Sequence, residues 1–136
     1  MAQFELNLDA FLDCRQQLDL KGFSLPGIVT VAQLSGVDGF SVSFDGRGKN
    51  FTEHDLELLA SVSGEARVNL HIAPRADLVQ AAMDLTVEQI TFVGEDLFKN
   101  YGSDLEKFTP QLKDQGKLIS YSVEPELSAL KKAYRL

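Results

Sequence analysis

The chain has 136 residues, 44% of them hydrophobic, and a formal net charge of −7. That length suits one domain over residues 1–136, with enough apolar content for a real core. The acidic balance disfavours nucleic acid and anionic membrane surfaces, which reward clustered Lys and Arg, but a few local cations can still hold one small anion.

Cys14 is the only cysteine, so no internal disulfide can form, and it reads as a reduced thiol rather than a nucleophile. The N-terminus has no charged segment followed by an apolar run. No stretch approaches the roughly 20 apolar residues of a membrane span. The expectation is a cytoplasmic protein with no signal peptide and no membrane contact.

Strands and helices alternate along the chain. Phe4 to Asp9 alternates apolar and polar residues and reads as a half-wet strand, followed by a long connection from Ala10 to Leu25. Pro26 suits the first position of a helix running to Leu34, with Gly36 as its stop. The second strand is Gly39 to Phe44, and the loop Asp45-Gly46-Arg47-Gly48-Lys49-Asn50 comes after it. Thr52 caps a helix, with Asp55 three residues on as a variant capping box. A third strand, Ala66 to Ile72, precedes a helix opened by Pro74 and ending at Met83. A fourth strand, Glu88 to Val93, leads through a polar loop to a helix from Asp104 to Gln115. The fifth strand is Lys117 to Val123, and Pro125 begins a last helix. Five strand–helix units of this kind predict a parallel sheet joined by right-handed crossovers.

The strand faces carry more information than the strands themselves. Strands covered on both faces read as continuous apolar runs, and these do not. Phe4, Leu6 and Leu8 oppose Glu5, Asn7 and Asp9; Phe40, Val42 and Phe44 oppose Gly39, Ser41 and Ser43; Val68, Leu70 and Ile72 oppose Arg67, Asn69 and His71. The fourth and fifth strands continue the pattern less cleanly. One face must therefore lie under helices, and the other must meet water, a ligand or another chain. The predicted fold class is α/β: a parallel (βα)5 partial TIM barrel, with helices on one face and a polar concave strand face. A complete barrel has eight strands and about 250 residues.

The residues on these strands resemble those of the pyridoxine 5′-phosphate synthase family. Its first strand carries a V-N-I-D-H-type motif followed by an arginine, matched by Leu6-Asn7-Leu8-Asp9-Ala10 and Arg15. Its second strand, A-G-A-D-G-I-T-V-H-L, is matched by Ser35 to Phe44. The basic loop with Arg47 and Lys49 follows, then Thr52-Glu53-His54-Asp55 for the T-x-x-D helix start. Its third strand, R-M-N-L-E-M-A, is matched by Arg67 to Ala73. The likeness is clear over residues 4–93 and fades from Gly94 onward; the family's last three strands have no counterpart.

The resemblance implies a fold, a substrate class and a set of roles. That family condenses 3-amino-2-oxopropyl phosphate with 1-deoxyxylulose 5-phosphate, using a strand-two histidine, a strand-three glutamate and a later histidine as acid–base groups. Here the first two positions hold Ser43 and His71. Serine cannot replace histidine in proton transfer without a base beside it. By the same resemblance Asn7, Asp9, Arg47, Lys49 and Asn69 occupy substrate-binding positions.

Asp9, Ser43 and His71 end three neighbouring strands, at the rim where barrel-type sites sit. Asp, Ser and His suggest a hydrolytic triad, but no nucleophile elbow surrounds Ser43, which favours three solvated residues of an older pocket. Glu5 and Arg67, one layer deeper, are expected to form a structural ion pair. His54 is expected on the surface, and the strand phenylalanines in the core. Asp9 and His71 are too few ligands for a metal, and no cofactor is expected. The function predicted is a catalytically degenerate synthase-like module that binds a small phosphorylated metabolite. The alternatives are an enzyme completed by homo-oligomerisation and a scaffold that holds a protein partner on the polar face. The free edges of an open sheet predict a homo-oligomer, most simply a dimer.

Overall fold

The computed structural model describes residues 3–18, 22–47 and 51–136. The elements run β1 (Glu5–Asn7), α1 (Asp9–Leu18), α2 (Leu25–Leu34), β2 (Gly39–Ser43), α3 (Glu53–Val62) and β3 (Arg67–Ile72). They continue with α4 (Ala76–Asp84), β4 (Gln89–Phe92), α5 (Leu97–Asn100), α6 (Gly102–Asp114), β5 (Leu118–Tyr121) and α7 (Leu127–Arg135).

The five strands form one parallel sheet in the order β1-β2-β3-β4-β5, open at both ends. Strands added always on the same side, through right-handed crossovers, put every connecting helix on the same face. Phe40, Val42, Val68, Leu70, Ile72, Ile90 and Phe92 are buried on that face. Leu12, Val29, Leu56, Leu59, Leu78, Leu105 and Leu112 from the helices join them in one core. This is the strand order of a partial barrel.

The predicted connection from Ala10 to Leu25 instead contains α1. Asn7 Oδ1 accepts the amide of Asp9 at 2.9 Å, and the Leu8 carbonyl accepts from Phe11 and Leu12. This side-chain turn starts a helix directly after the strand. Leu12 is the one buried residue of α1, so no apolar stripe marked it in the sequence. A second difference is Phe4. It precedes β1 at the open edge and is 65% exposed rather than in the core, its amide held by the Asp38 carboxylate at 2.7 Å.

The expected capping box at α3 is present. Thr52 Oγ1 accepts from the Asp55 amide, and Asp55 Oδ2 accepts from the Thr52 amide. Arg15, in the last turn of α1, donates to both carboxylate oxygens of Asp55 at 2.7 and 2.9 Å. One carboxylate therefore caps α3 and ties it to α1. The hydrogen bonds from Arg15, outweighing burial and aided by those from Thr52, lower the Asp55 pKa to about 2.

This pKa lies below the unfolded carboxylate value, so the stabilisation is full above about pH 4 and disappears as pH falls towards 2. Asp55→Asn should lower unfolding stability by about 2 kcal/mol at pH 7, through loss of the cap and of the charged partner. Denaturant melts of both proteins from pH 7 down to pH 2.5 should show the gap narrowing only below about pH 4.

Candidate functional site

The uncovered face carries polar side chains in registered rows. Asn7, Ser41, Asn69 and Gln89 stand side by side across β1 to β4, and Ser43, His71, Thr91 and Ser120 form the next row towards the strand C-termini. No helix covers them, yet Ser41 and Asn69 are only 3% and 4% exposed. Burying such groups is tolerable only if they are hydrogen-bonded. Asn69 Nδ2 donates to Glu5 Oε1 at 3.2 Å, and Asn69 Oδ1 accepts from Thr91 Oγ1 at 2.8 Å. Gln89 Nε2 donates to Ser120 Oγ at 2.9 Å, and Arg67 Nη1 donates to Gln89 Oε1 at 3.4 Å. No buried side-chain nitrogen or oxygen among the described residues lacks a partner.

The expected Glu5–Arg67 ion pair does not form. Gly39 stands between them in the register, and a side chain there would meet the Arg67 carbonyl oxygen at 2.9 Å. The Glu5 carboxylate instead reaches diagonally to Asn69, while Arg67 turns to Gln89 on β4.

At the C-terminal rim, Asp9 and Ser43 meet. Ser43 Oγ donates to Asp9 Oδ2 at 2.7 Å, and the Ser43 amide donates to Asp9 Oδ1 at 2.8 Å. Asn7 Nδ2 also donates to Asp9, at 3.3 Å. Asp9 starts α1, so this contact pins the first helix to the end of β2. His71 stands opposite Ser43 on β3 and is half-buried, but has no hydrogen bond to Ser43 or Asp9 among the described residues. A hydrolytic triad needs the imidazole between acid and hydroxyl. Here the carboxylate takes the hydroxyl directly.

Ser43 and His71 open into a rim cleft of about 300 Å³, which Phe44, Asp45, Phe51, Ala73, Arg75 and Leu78 also line. Asp45 and Arg75 were not singled out from the sequence. The signal was available: each follows the end of a strand by two or three residues, where a parallel sheet places its rim loops. Arg75 pairs with Asp77 in the open, and that pairing raises the arginine pKa and lowers the aspartate's.

A second cleft, of about 400 Å³, lies between Phe44, Gly46, Arg47, Thr52, Glu53 and His54. Gly46 has φ 72°, the left-handed region that glycine tolerates, and packs against Leu78. The Arg47 backbone is held by Asp45 at 2.9 Å, while its side chain has no hydrogen-bond or ion-pair partner among the described residues. His54 is exposed on the first turn of α3. The N-terminus of α3 is already capped by Thr52 and Asp55. Lys49 lies outside the described residues. No three His, Cys, Asp or Glu side chains among the described residues gather as metal ligands, and no helix is long and apolar enough to cross a membrane.

An open parallel sheet, helices on one face and polar groups at its C-terminal rim define a barrel-type α/β unit. Within that class, the chain is similar along its whole length to pyridoxine 5′-phosphate synthases. It is 29% identical to the one from Pelobacter propionicus over 98% of the chain and 59% of that relative. It is 27% identical to the Synechococcus enzyme over 99% of the chain and 57% of the relative. To the Syntrophotalea carbinolica enzyme it is 26% identical over 100% of the chain and 61% of the relative. The chain thus spans about three-fifths of the length of these relatives. No family model matches it.

Asn69 bridges β1 and β4 from the buried middle of the polar rows, through Glu5 and Thr91. Asn69→Ala should cost about 2 kcal/mol by leaving Glu5 and Thr91 without their partner, read from urea midpoints. An unchanged midpoint would mean that water replaces the amide at no cost.

Proposed function

We propose that the chain is a cytoplasmic, pyridoxine 5′-phosphate synthase-like module that binds a small phosphorylated metabolite at the C-terminal rim and has lost the acid–base chemistry of a synthase. The likeness to synthases along the whole chain supports the ligand class. The observation that carries the loss of catalysis is that His71, opposite Ser43 in the register, is hydrogen-bonded to neither Ser43 nor Asp9 among the described residues, so no imidazole joins the hydroxyl to the carboxylate. Where the resemblance expects a histidine, a serine donates a hydrogen bond to a carboxylate. An aliphatic hydroxyl does not take up and release a proton near neutral pH as an imidazole does, so serine at this position does not supply the family's acid–base group.

The rim still suits binding. Arg47 supplies positive charge for a phosphoryl group, which a guanidinium can meet with two parallel hydrogen bonds, and Lys49, two residues on in the sequence, is the second cation of the same segment. Asp9 and His71 offer carboxylate oxygens and an imidazole to hydroxyl or carbonyl groups, while the Asn7 amide is occupied by Asp9 and Ser41. Asn69 contributes indirectly, because its amide is occupied by Glu5 and Thr91.

A second reading, an active enzyme completed by another copy, draws on the open edges at β1 and β5. Calorimetry and a condensation assay separate the two. Titration with 1-deoxyxylulose 5-phosphate should show saturable binding, and Arg47→Ala should weaken it about tenfold, roughly 1.4 kcal/mol. Mixing both family substrates should release no inorganic phosphate above background. Binding that ignores the phosphoryl group, or none at millimolar ligand, would contradict the binding module. Steady phosphate release would establish the enzyme instead.

A further inference from the structure

Two apolar surfaces at opposite ends of the sheet are partly open to solvent. At the β1 end, Leu6, Phe11, Phe23, Ile28 and Val31 line an open groove of about 720 Å³. Phe11 and Val31 are 39% and 65% exposed. At the β5 end, α7 has no buried residue. Its Leu127, Leu130 and Tyr134, spaced by three and four residues, form one stripe and are 68%, 53% and 93% exposed. Ala129 and Ala133 lie on a different face of the helix and are half-buried. The Lys113 amine on α6 holds the Leu136 carbonyl at 2.6 Å, so α7 is fastened at its end while its stripe faces outward.

We propose that the groove beside β1 receives the α7 stripe of a second copy, in a head-to-tail contact that sets β5 of one chain next to β1 of the other. Strand order supplies the first argument. In a sheet built by successive right-handed crossovers, the helix after each strand covers the seam to the next strand. The seam belonging to α7 is therefore the one beyond β5. The groove lies on the helix side of β1 and outside α2, where a helix preceding β1 would pack.

Charge supplies the second argument. The α7 segment carries Lys131, Lys132 and Arg135 and no acid, while the whole chain is −7, so the remainder is more acidic still. A basic helix is drawn to an acidic body, and a second copy provides one. The third argument is the backbone. The outer sides of β1 and β5 each present unpaired amides and carbonyls, and one parallel pairing satisfies both. Groove and stripe are different surfaces, so each contact joins unlike patches, and two of them related by a twofold axis close the dimer and pair both sheet edges. The proposal stands apart from ligand binding at the rim.

Light scattering coupled to size exclusion tests it on the full chain. The unsubstituted protein should elute as a dimer. Val31→Glu in the groove and Leu130→Glu on the stripe should each give folded monomers, since both positions are exposed, and Tyr134→Lys should repeat the α7 result. An equimolar mixture of the Val31→Glu and Leu130→Glu proteins should regain dimers, because one intact groove and one intact stripe remain between them. An unsubstituted monomer at hundreds of micromolar would overturn the proposal. So would a dimer that survives Leu130→Glu, or a mixture that stays monomeric.

Discussion

Consecutive parallel strands joined by crossovers of one hand can be covered by their own helices on one face only. In this chain that constraint decides the chemistry of both faces. The helix side takes Phe40, Leu70, Ile90, Phe92 and the helical leucines into a continuous core. The other side has no layer to hide under, yet its central side chains are still shielded by their neighbours. Ser41 and Asn69 are therefore buried without being in an apolar core. They persist because each polar group finds another polar group across the strands. The same one-sidedness leaves β1 and β5 as open edges, which links the polar face, the apolar groove and the outward stripe of α7 to one topological cause.

The two ends of the sheet divide the work. At the strand N-termini the polar groups are tethers: Glu88 accepts the Val68 amide at 2.8 Å, and the Lys117 amine donates to the carbonyls of Leu85 and Val87. Burial lowers the Lys117 pKa, with Glu88 acting in opposition. At the C-terminal rim the polar groups are more accessible, and several have capacity to spare. Arg15 and the Thr52/Asp55 pair, widely separated in sequence, prove to be one interaction that fastens α1 to α3 beside that rim. Residues that resemble parts of a family motif can thus act as scaffold rather than as ligand contacts.

Much of this was legible in the sequence, for a definite physical reason. Alternation with a period of two names the buried and open faces of a strand directly, and strand ends in a parallel sheet fall on one rim, so Asp9, Ser43 and His71 could be grouped before any coordinates. What was not legible depends on distances across strands or on loops. The diagonal from Glu5 to Asn69 depends on the stagger of neighbouring strands, which a linear sequence does not display. Helix α1 was hidden because a mostly polar segment with one buried leucine has no periodic signal. The exposure of Phe4 follows from its place at an edge, which composition does not record. Arg75 and Asp45 reach the rim cleft from loops, where no periodicity guides the eye.

The central claim is that the C-terminal rim of the uncovered strand face is the ligand surface. Backbone amide shifts recorded during titration with inorganic phosphate test it most directly. The account predicts saturable changes concentrated in residues 43–47 and 71–75, with α4, α6 and the strand N-termini unmoved. Shifts gathered instead along the groove of β1 and α2, or spread evenly over the helical face, would contradict it.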